Sequence, residues 1–115
     1  MRRAVPRHPP VPVIHVLAEL HLAPGARDAF VAHFRALEPL VRAEDGCLEY
    51  RGALEEATGL AAQAPVRDDV LLVIEKWRDA AALAAHLDAP HMHAFAAATA
   101  GLMVGRTIRV ARDLA

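Results

Sequence analysis

The chain has 115 residues, of which 55% are hydrophobic and 23% charged, and its formal net charge is −1. This length fits one domain with one hydrophobic core, and the composition is that of an ordinary globular protein rather than a disordered or fibrous one. The basic residues are scattered and matched by acids, so no basic surface for nucleic acid is expected.

The cysteine content and the start of the chain indicate where the protein resides. Cys47 is the only cysteine, so an intrachain disulfide is excluded and a reducing compartment is favoured. No apolar run approaches the roughly 20 residues that cross a bilayer, and prolines interrupt any signal-peptide core. We therefore expect a flexible tail over residues 1–12, one domain over residues 13–115, and a cytoplasmic protein.

The first part of the chain predicts alternating strands and a helix. Residues 13–22 alternate in the strand period and predict a first strand. A helix follows, with an apolar stripe at positions i, i+4, i+7 and i+11: Phe30, Phe34, Leu37 and Val41. Residues 47–54 predict a half-exposed strand, residues 55–68 a long loop, and residues 69–77 a strand so continuously apolar that burial on both faces is expected.

The last part of the chain predicts two helices and a strand. Asp79 is suited to cap a short helix over residues 80–87, because its carboxylate can accept the free N–H groups of the first turn. Pro90 fits the first turn of another helix, which Gly105 is expected to end. The apolar stripe of that helix is predicted to hold His91, Phe95, Ala98 and Leu102. Residues 107–111 predict a last short strand.

This order of elements predicts the fold and the assembly. The pattern β-α-β-β-α-β is typical of a ferredoxin-like α+β domain, a four-stranded antiparallel sheet with helices on one face. Residues 69–77 are apolar on both faces, whereas the helices can cover only one of them. A second copy of the chain is the simplest cover for the other face, so we expect a homodimer.

Several short motifs follow one another along residues 13–111: Pro24-Gly25, Glu44-x-Gly46-Cys47-Leu48-x-Tyr50, Glu75-x-Trp77, Ala82-Leu83-x-x-His86-Leu87 and Pro90-His91-Met92. In this combination the chain resembles the antibiotic-biosynthesis (quinol) monooxygenase family. The resemblance implies a dimeric α+β barrel with a pocket in each monomer between sheet and helices. It also implies cofactor-independent oxidation of a small quinol or polyphenol by O2, for which the protein supplies an apolar pocket, a base and oxyanion donors.

Three residues are predicted to be catalytic. His91 is the expected base, because its stripe should face the sheet near Trp77 and because histidine titrates near neutrality. Trp77 would offer its N–H to a substrate oxygen, and Glu75, a partly buried carboxylate with a raised pKa, would be a second candidate for the general base. The alternatives are a core imidazole for His91 and a core indole for Trp77. For Glu75 the alternative is a carboxylate paired with an arginine or with the N-terminus of the helix over residues 80–87. The predicted substrate-binding residues are Tyr50, His86, Phe95 and Phe34, whereas His93 is expected to face solvent.

Neither a metal nor a cofactor is expected. Pro90 separates His86 from His91, and His91 and His93 should point apart, so the seven histidines do not predict a metal site. The haem-degrading proteins of the same fold use an asparagine, a tryptophan and a histidine. The corresponding positions here hold Ala18, His86 and Ala96. None of the three is present, so haem degradation is not expected.

A fold does not fix a reaction, and two other hypotheses remain open from the sequence. One is a non-catalytic dimer that binds a small ligand or is associated with stress; the other is an isomerase or decarboxylase. The expected partners are a small aromatic substrate, O2 and a second copy of the chain, with no nucleic acid and no membrane.

Overall fold

The computed structural model describes residues 11–114, so residues 1–10 of the predicted tail lie outside the described part. Its elements are β1 (Ile14–Leu22), α1 (Arg27–Arg42), β2 (Cys47–Leu54), β3 (Val70–Trp77), α2 (Ala80–Leu87), α3 (Pro90–Thr99) and β4 (Met103–Arg112). The strands form one antiparallel sheet in the order β2-β3-β1-β4. The predicted ferredoxin-like α+β fold is confirmed. Within the described residues, no helix is long and apolar enough to cross a membrane.

Helix α1 supplies one side of the core. Its predicted stripe is buried as a whole: Phe30, Phe34, Leu37 and Val41. These side chains pack against apolar residues of β1 and β3 in a single cluster. The helix approaches β2 so closely that a Cβ atom at Gly52 would lie 2.7 Å from the Phe34 ring. A larger residue at this point of the strand would force the Phe34 ring or the helix to shift.

Helices α2 and α3 are separate elements. Asp79 caps α2 as predicted, since its carboxylate accepts the Ala82 N–H at 2.8 Å. Ala89 then adopts an extended conformation, and Pro90 is the first residue of α3. This break changes the direction of the chain between His86 and His91.

The predicted boundary between α3 and β4 is wrong. The helix ends at Thr99, whose carbonyl accepts the Leu102 N–H at 2.9 Å in a turn. Gly105 lies inside β4, opposite His21 and beside an irregularity in the pairing with β1. The strand is consequently 10 residues long and begins four residues before the predicted one. Pairing with β1 outweighs the low strand preference of glycine.

The predicted stripe of α3 is also wrong in part. Ala98 is exposed and Leu102 follows the helix. The inward side instead carries Met92, Phe95 and Thr99, and the Phe95 ring lies 5.5 Å from the Phe30 ring. Between these positions the helix is almost entirely alanine, which gives the sequence little apolar contrast from which to choose a face.

The sheet face opposite the helices is partly open in the single chain. Leu72 and Ile74 of β3 are half-buried there, and Leu17 of the neighbouring β1 is 40% exposed. The expected burial of β3 on both faces is therefore incomplete within one chain.

Candidate active site

A cavity of about 320 Å³ lies between the sheet and helices α2 and α3, where the family resemblance implies a pocket. Its floor comes from β1, β3 and β4, and its lining includes apolar side chains such as Leu20, Val73, Met92 and Ile108. Its polar residues include Tyr50, Glu75 and His86. Tyr50 and Glu75 are paired across β2 and β3, so these groups share one region of the cavity.

His86 is the most deeply buried histidine of this site. His86 is 2% exposed. The centroid of its ring lies 4.6 Å from that of the Trp77 indole and 5.5 Å from that of the Tyr50 ring. The Nδ1 atom lies 2.9 Å from Oε2 of Glu44, whereas Nε2 lies 4.0 Å from Oε1 of Glu75. One nitrogen is therefore held by a carboxylate, and the other is near a second carboxylate.

The Nε2 atom of His86 is open to the cavity. It makes no hydrogen bond within the described residues, because the distance to Glu75 exceeds hydrogen-bond range. In the same part of the chain, no fully buried side-chain nitrogen or oxygen lacks a hydrogen-bond partner. Nε2 is therefore not fully buried, and because His86 lines the cavity we infer that Nε2 faces it.

Glu44 contacts two histidines of the site, and it was not among the residues predicted to be functional. Its Oε2 atom is 2.9 Å from His86 Nδ1 and 2.7 Å from His91 Nε2, so one oxygen serves two imidazoles. Glu44 lies in the turn between α1 and β2, followed by Gly46 with φ of +83°. A Cβ atom at Gly46 would lie 2.5 Å from that of Ala82, so glycine permits α2 to approach the turn. One feature of the sequence did point to this residue, since Glu44 begins the motif Glu44-x-Gly46 and lies two residues before this glycine.

The expected position of His91 is wrong. The imidazole beside the Trp77 indole is that of His86; His91 binds Glu44 instead and does not line the cavity. The break at Ala89 starts α3 in a new direction, which turns its first residues toward the α1–β2 turn.

His93 lies at the edge of the cavity. Its side chain is 67% exposed, as expected, and its Nε2 is 3.2 Å from Oδ1 of Asp88. It nevertheless contributes to the cavity lining.

Trp77 and Glu75 form a buried, hydrogen-bonded pair. The indole is 0% exposed, and its Nε1–H donates to Oε1 of Glu75 at 2.9 Å. The expected hydrogen bond from Trp77 to a substrate oxygen is therefore replaced by one to Glu75. Burial raises the pKa of Glu75, while the bond from Trp77 and the nearby His86 act to lower it. The carboxyl group is thus paired, but with an indole and not with an arginine.

The predicted substrate-binding residues are brought together in the cavity lining, which includes Tyr50, His86, Phe95 and Phe34. The Tyr50 ring stacks on Phe34 with centroids 5.6 Å apart, and Phe95 meets Phe34 edge-on at 6.3 Å. Burial raises the pKa of Tyr50 far above its ordinary value. Its hydroxyl consequently keeps its proton and can act as a hydrogen-bond donor.

The structure also bears on metal binding and on one residue of β4. Among residues 11–114, no group of three or more histidine, cysteine, aspartate or glutamate side chains is arranged to hold a metal ion. Arg106 lines the cavity but was not predicted, because the last strand was expected to begin at residue 107.

Comparisons with known proteins agree with this fold. Residues 13–98 match the family described as antibiotic biosynthesis monooxygenase. The chain is 34% identical over 100 residues to "Probable quinol monooxygenase YgiN" of Escherichia coli K12. The aligned residues cover 85% of this chain and 95% of that protein.

Solved structures give the same result. PA3566 from Pseudomonas aeruginosa has a TM-score of 0.76 at 30% identity, covering 94% of this chain and 99% of that one. Rv0793 from Mycobacterium tuberculosis has a TM-score of 0.73 at 27% identity, covering 90% and 96%. The resemblance stated from the motifs is thus confirmed, and the chain belongs to the antibiotic biosynthesis monooxygenase family.

Proposed function

We propose that the protein is a cofactor-independent monooxygenase that oxidises a small quinol or polyphenol with O2, and that His86 is its general base. The observation that carries this proposal is the buried His86 imidazole, held by Glu44 at Nδ1 and open to an apolar cavity at Nε2. The name of the E. coli relative, a quinol monooxygenase, supports the substrate class.

Glu44 determines which nitrogen of His86 is basic. A carboxylate beside Nδ1 favours the tautomer whose proton is on Nδ1, which leaves the lone pair on Nε2. A phenolic hydroxyl bound in the cavity then gives its proton to Nε2. The imidazolium that forms lies between Glu44 and Glu75, and two neighbouring carboxylates stabilise that positive charge.

The remaining lining residues act on the substrate anion. The Tyr50 hydroxyl donates a hydrogen bond to the phenolate oxygen, and the rings of Phe34 and Phe95 hold the aromatic plane and exclude water. The electron-rich anion passes one electron to O2, and the superoxide and ring radical combine at carbon. The peroxide anion formed at a ring carbon that bears a hydrogen takes the proton back from the His86 imidazolium and becomes a hydroperoxide. The hydroperoxide loses water, made from its terminal OH and the hydrogen of that carbon, which leaves a carbonyl, so one oxygen atom enters the product and the other leaves as water.

His91 has a positioning role in this scheme. Its Nε2 shares the Glu44 oxygen with His86, and its side chain is 25% exposed, outside the cavity lining. It restrains the carboxylate that orients the base and does not meet the substrate.

The proposed assembly is a homodimer through the sheet face opposite the helices, giving an α+β barrel. The support is the partly open apolar strip formed by Leu17, Leu72 and Ile74. A second copy placed on this face would remove that apolar surface from water.

Oxygen uptake tests the function. Protein freed of metals by chelation and without added flavin should consume O2 with at least one member of a panel of benzene- and naphthalene-derived quinols. His86→Ala should lower this rate by about 10²-fold or more. His33→Ala, on the exposed side of α1, is the control and should retain the wild-type rate. Ligand binding without O2 uptake would favour a non-catalytic binding protein, and activity only with added metal or flavin would contradict the cofactor-free mechanism.

A further inference from the structure

Arg106 of β4 brings a permanent positive charge to the cavity. Several other arginines of the described residues are paired with carboxylates: Arg42, Arg51, Arg67 and Arg78. The side chain of Arg106 makes no hydrogen bond or ion pair within residues 11–114, although it lines the cavity. Glu75, the carboxylate of the lining, already accepts the Trp77 N–H.

Strand register places Arg106 and the proposed base in different regions of the cavity. Glu75 pairs with Val16 of β1, whereas Arg106 pairs with Leu20, four residues further along the same strand. Strands β3 and β4 flank β1 on opposite sides. The Cα atoms of Glu75 and Arg106 are therefore roughly 13 Å apart along the strands and roughly 10 Å apart across them.

The space between these positions is lined by apolar groups. Ala18, Val73 and Ile108 lie at one level of the sheet, between the levels of Glu75 and Arg106, and all three line the cavity. A planar ring on this floor can place a phenolic hydroxyl at His86 and a substituent at Arg106. A guanidinium binds carboxylate and sulfonate oxygens through two parallel N–H groups, whereas a neutral substituent gains little from it.

We propose that the substrate carries an anionic substituent, a carboxylate or sulfonate, on the side of the ring away from the oxidised hydroxyl, and that Arg106 binds it. This inference rests on the proposed function, because it deepens the substrate class of the same cavity. Arg106 then determines specificity and orientation: the ion pair fixes which hydroxyl reaches Nε2 of His86.

Binding of compounds that are not quinols tests this inference apart from turnover. Calorimetric titration compares 6-hydroxy-2-naphthoate with 2-naphthol, which differ in the carboxylate alone. The wild type should bind the naphthoate about tenfold more tightly, as expected for one charge-assisted ion pair. Arg106→Gln should abolish this preference while it leaves the affinity for 2-naphthol unchanged.

Arg112→Gln is the matched control, because Arg112 lies on the same strand and face, six residues away, and outside the cavity lining. It should keep the preference. Equal affinity of the wild type for both compounds would overturn the inference, as would an equal loss of preference in the two variants or no binding of either compound. If the preference depends on Arg106 but no quinol is oxidised, the proposed function fails and the anionic subsite stands. With an active quinol that carries a sulfonate, Arg106→Gln should raise KM and leave kcat nearly unchanged.

Discussion

Replacing Glu44 by alanine should separate the network around His86 into its catalytic and structural parts. One carboxylate oxygen binds both imidazoles, so the substitution removes both hydrogen bonds at once. His86 is 2% exposed, and its Nδ1 would be left buried without a partner, which costs about 1–3 kcal/mol. The side chain of His91 is 25% exposed and can turn to water at little cost.

The effect on turnover should be larger than the effect on stability suggests. Without the carboxylate, nothing holds the proton of His86 on Nδ1, and the tautomer with a basic Nε2 is no longer favoured. General-base catalysis contributes about 10²–10⁴-fold, so the rate of O2 uptake should fall by at least about 10²-fold. Urea unfolding measures the stability, and an oxygen electrode with the active quinol measures the rate.

His91→Ala is the comparison variant for Glu44→Ala. It removes the second hydrogen bond to Glu44 but leaves the one between Glu44 and His86. Stability should fall by about 1 kcal/mol or less, and turnover should fall far less than in Glu44→Ala. If Glu44→Ala keeps the wild-type rate, or if His91→Ala is the more damaging change, His86 is not the base.

Three further predictions concern stability and assembly. Gly52→Ala places a Cβ atom 2.7 Å from the Phe34 ring and should lower the free energy of unfolding in urea by about 1–3 kcal/mol; an unchanged value would show that α1 can shift. Burial raises the pKa of Glu75, so the carboxyl group of the folded chain keeps its proton to higher pH than that of the unfolded chain. The free energy of unfolding should therefore fall as pH rises from the ordinary carboxyl pKa through the raised one. Glu75→Gln should flatten this fall in a pH series of urea midpoints, and an identical slope would contradict it. Sedimentation should give about twice the monomer mass of 12.4 kDa, whereas a stable monomer would exclude the proposed barrel.

Much of the fold could be predicted because its signals are local. The stripe of α1, the alternation of β1 and the Asp79 cap each depend on residues close in sequence, and the structure has all of them. The end of α3 could not be predicted in this way. Four of the last six residues of that helix are alanine and Ala100 follows it, so the apolar pattern does not show where the helix stops. Gly105 then resembles a helix terminator, although it lies within a strand that the neighbouring β1 stabilises.

The site was predictable to the extent that strand alternation determines it. Tyr50 and Glu75 line the cavity because both lie on the sheet face that the helices cover. Which histidine meets the Trp77 indole depends instead on the turn between α2 and α3, which no periodicity describes. Glu44 is 42 residues from His86 in sequence, so their contact follows only from the assembled tertiary structure.

The alternative that His86 is an ordinary core histidine makes a different demand on its two nitrogens. A purely structural imidazole in a protein interior commonly has both nitrogens bonded to protein groups or to ordered water, since an unpaired buried polar atom is costly. Here Nδ1 is satisfied by Glu44, but Oε1 of Glu75, 4.0 Å from Nε2, already accepts the Trp77 N–H. In the proposed mechanism Glu44 fixes the tautomer through Nδ1, and Nε2 faces an apolar cavity beside a tyrosine that keeps its proton. Packing alone has no need of that arrangement, whereas the proposed transfer of a proton from a bound phenol to Nε2 uses it.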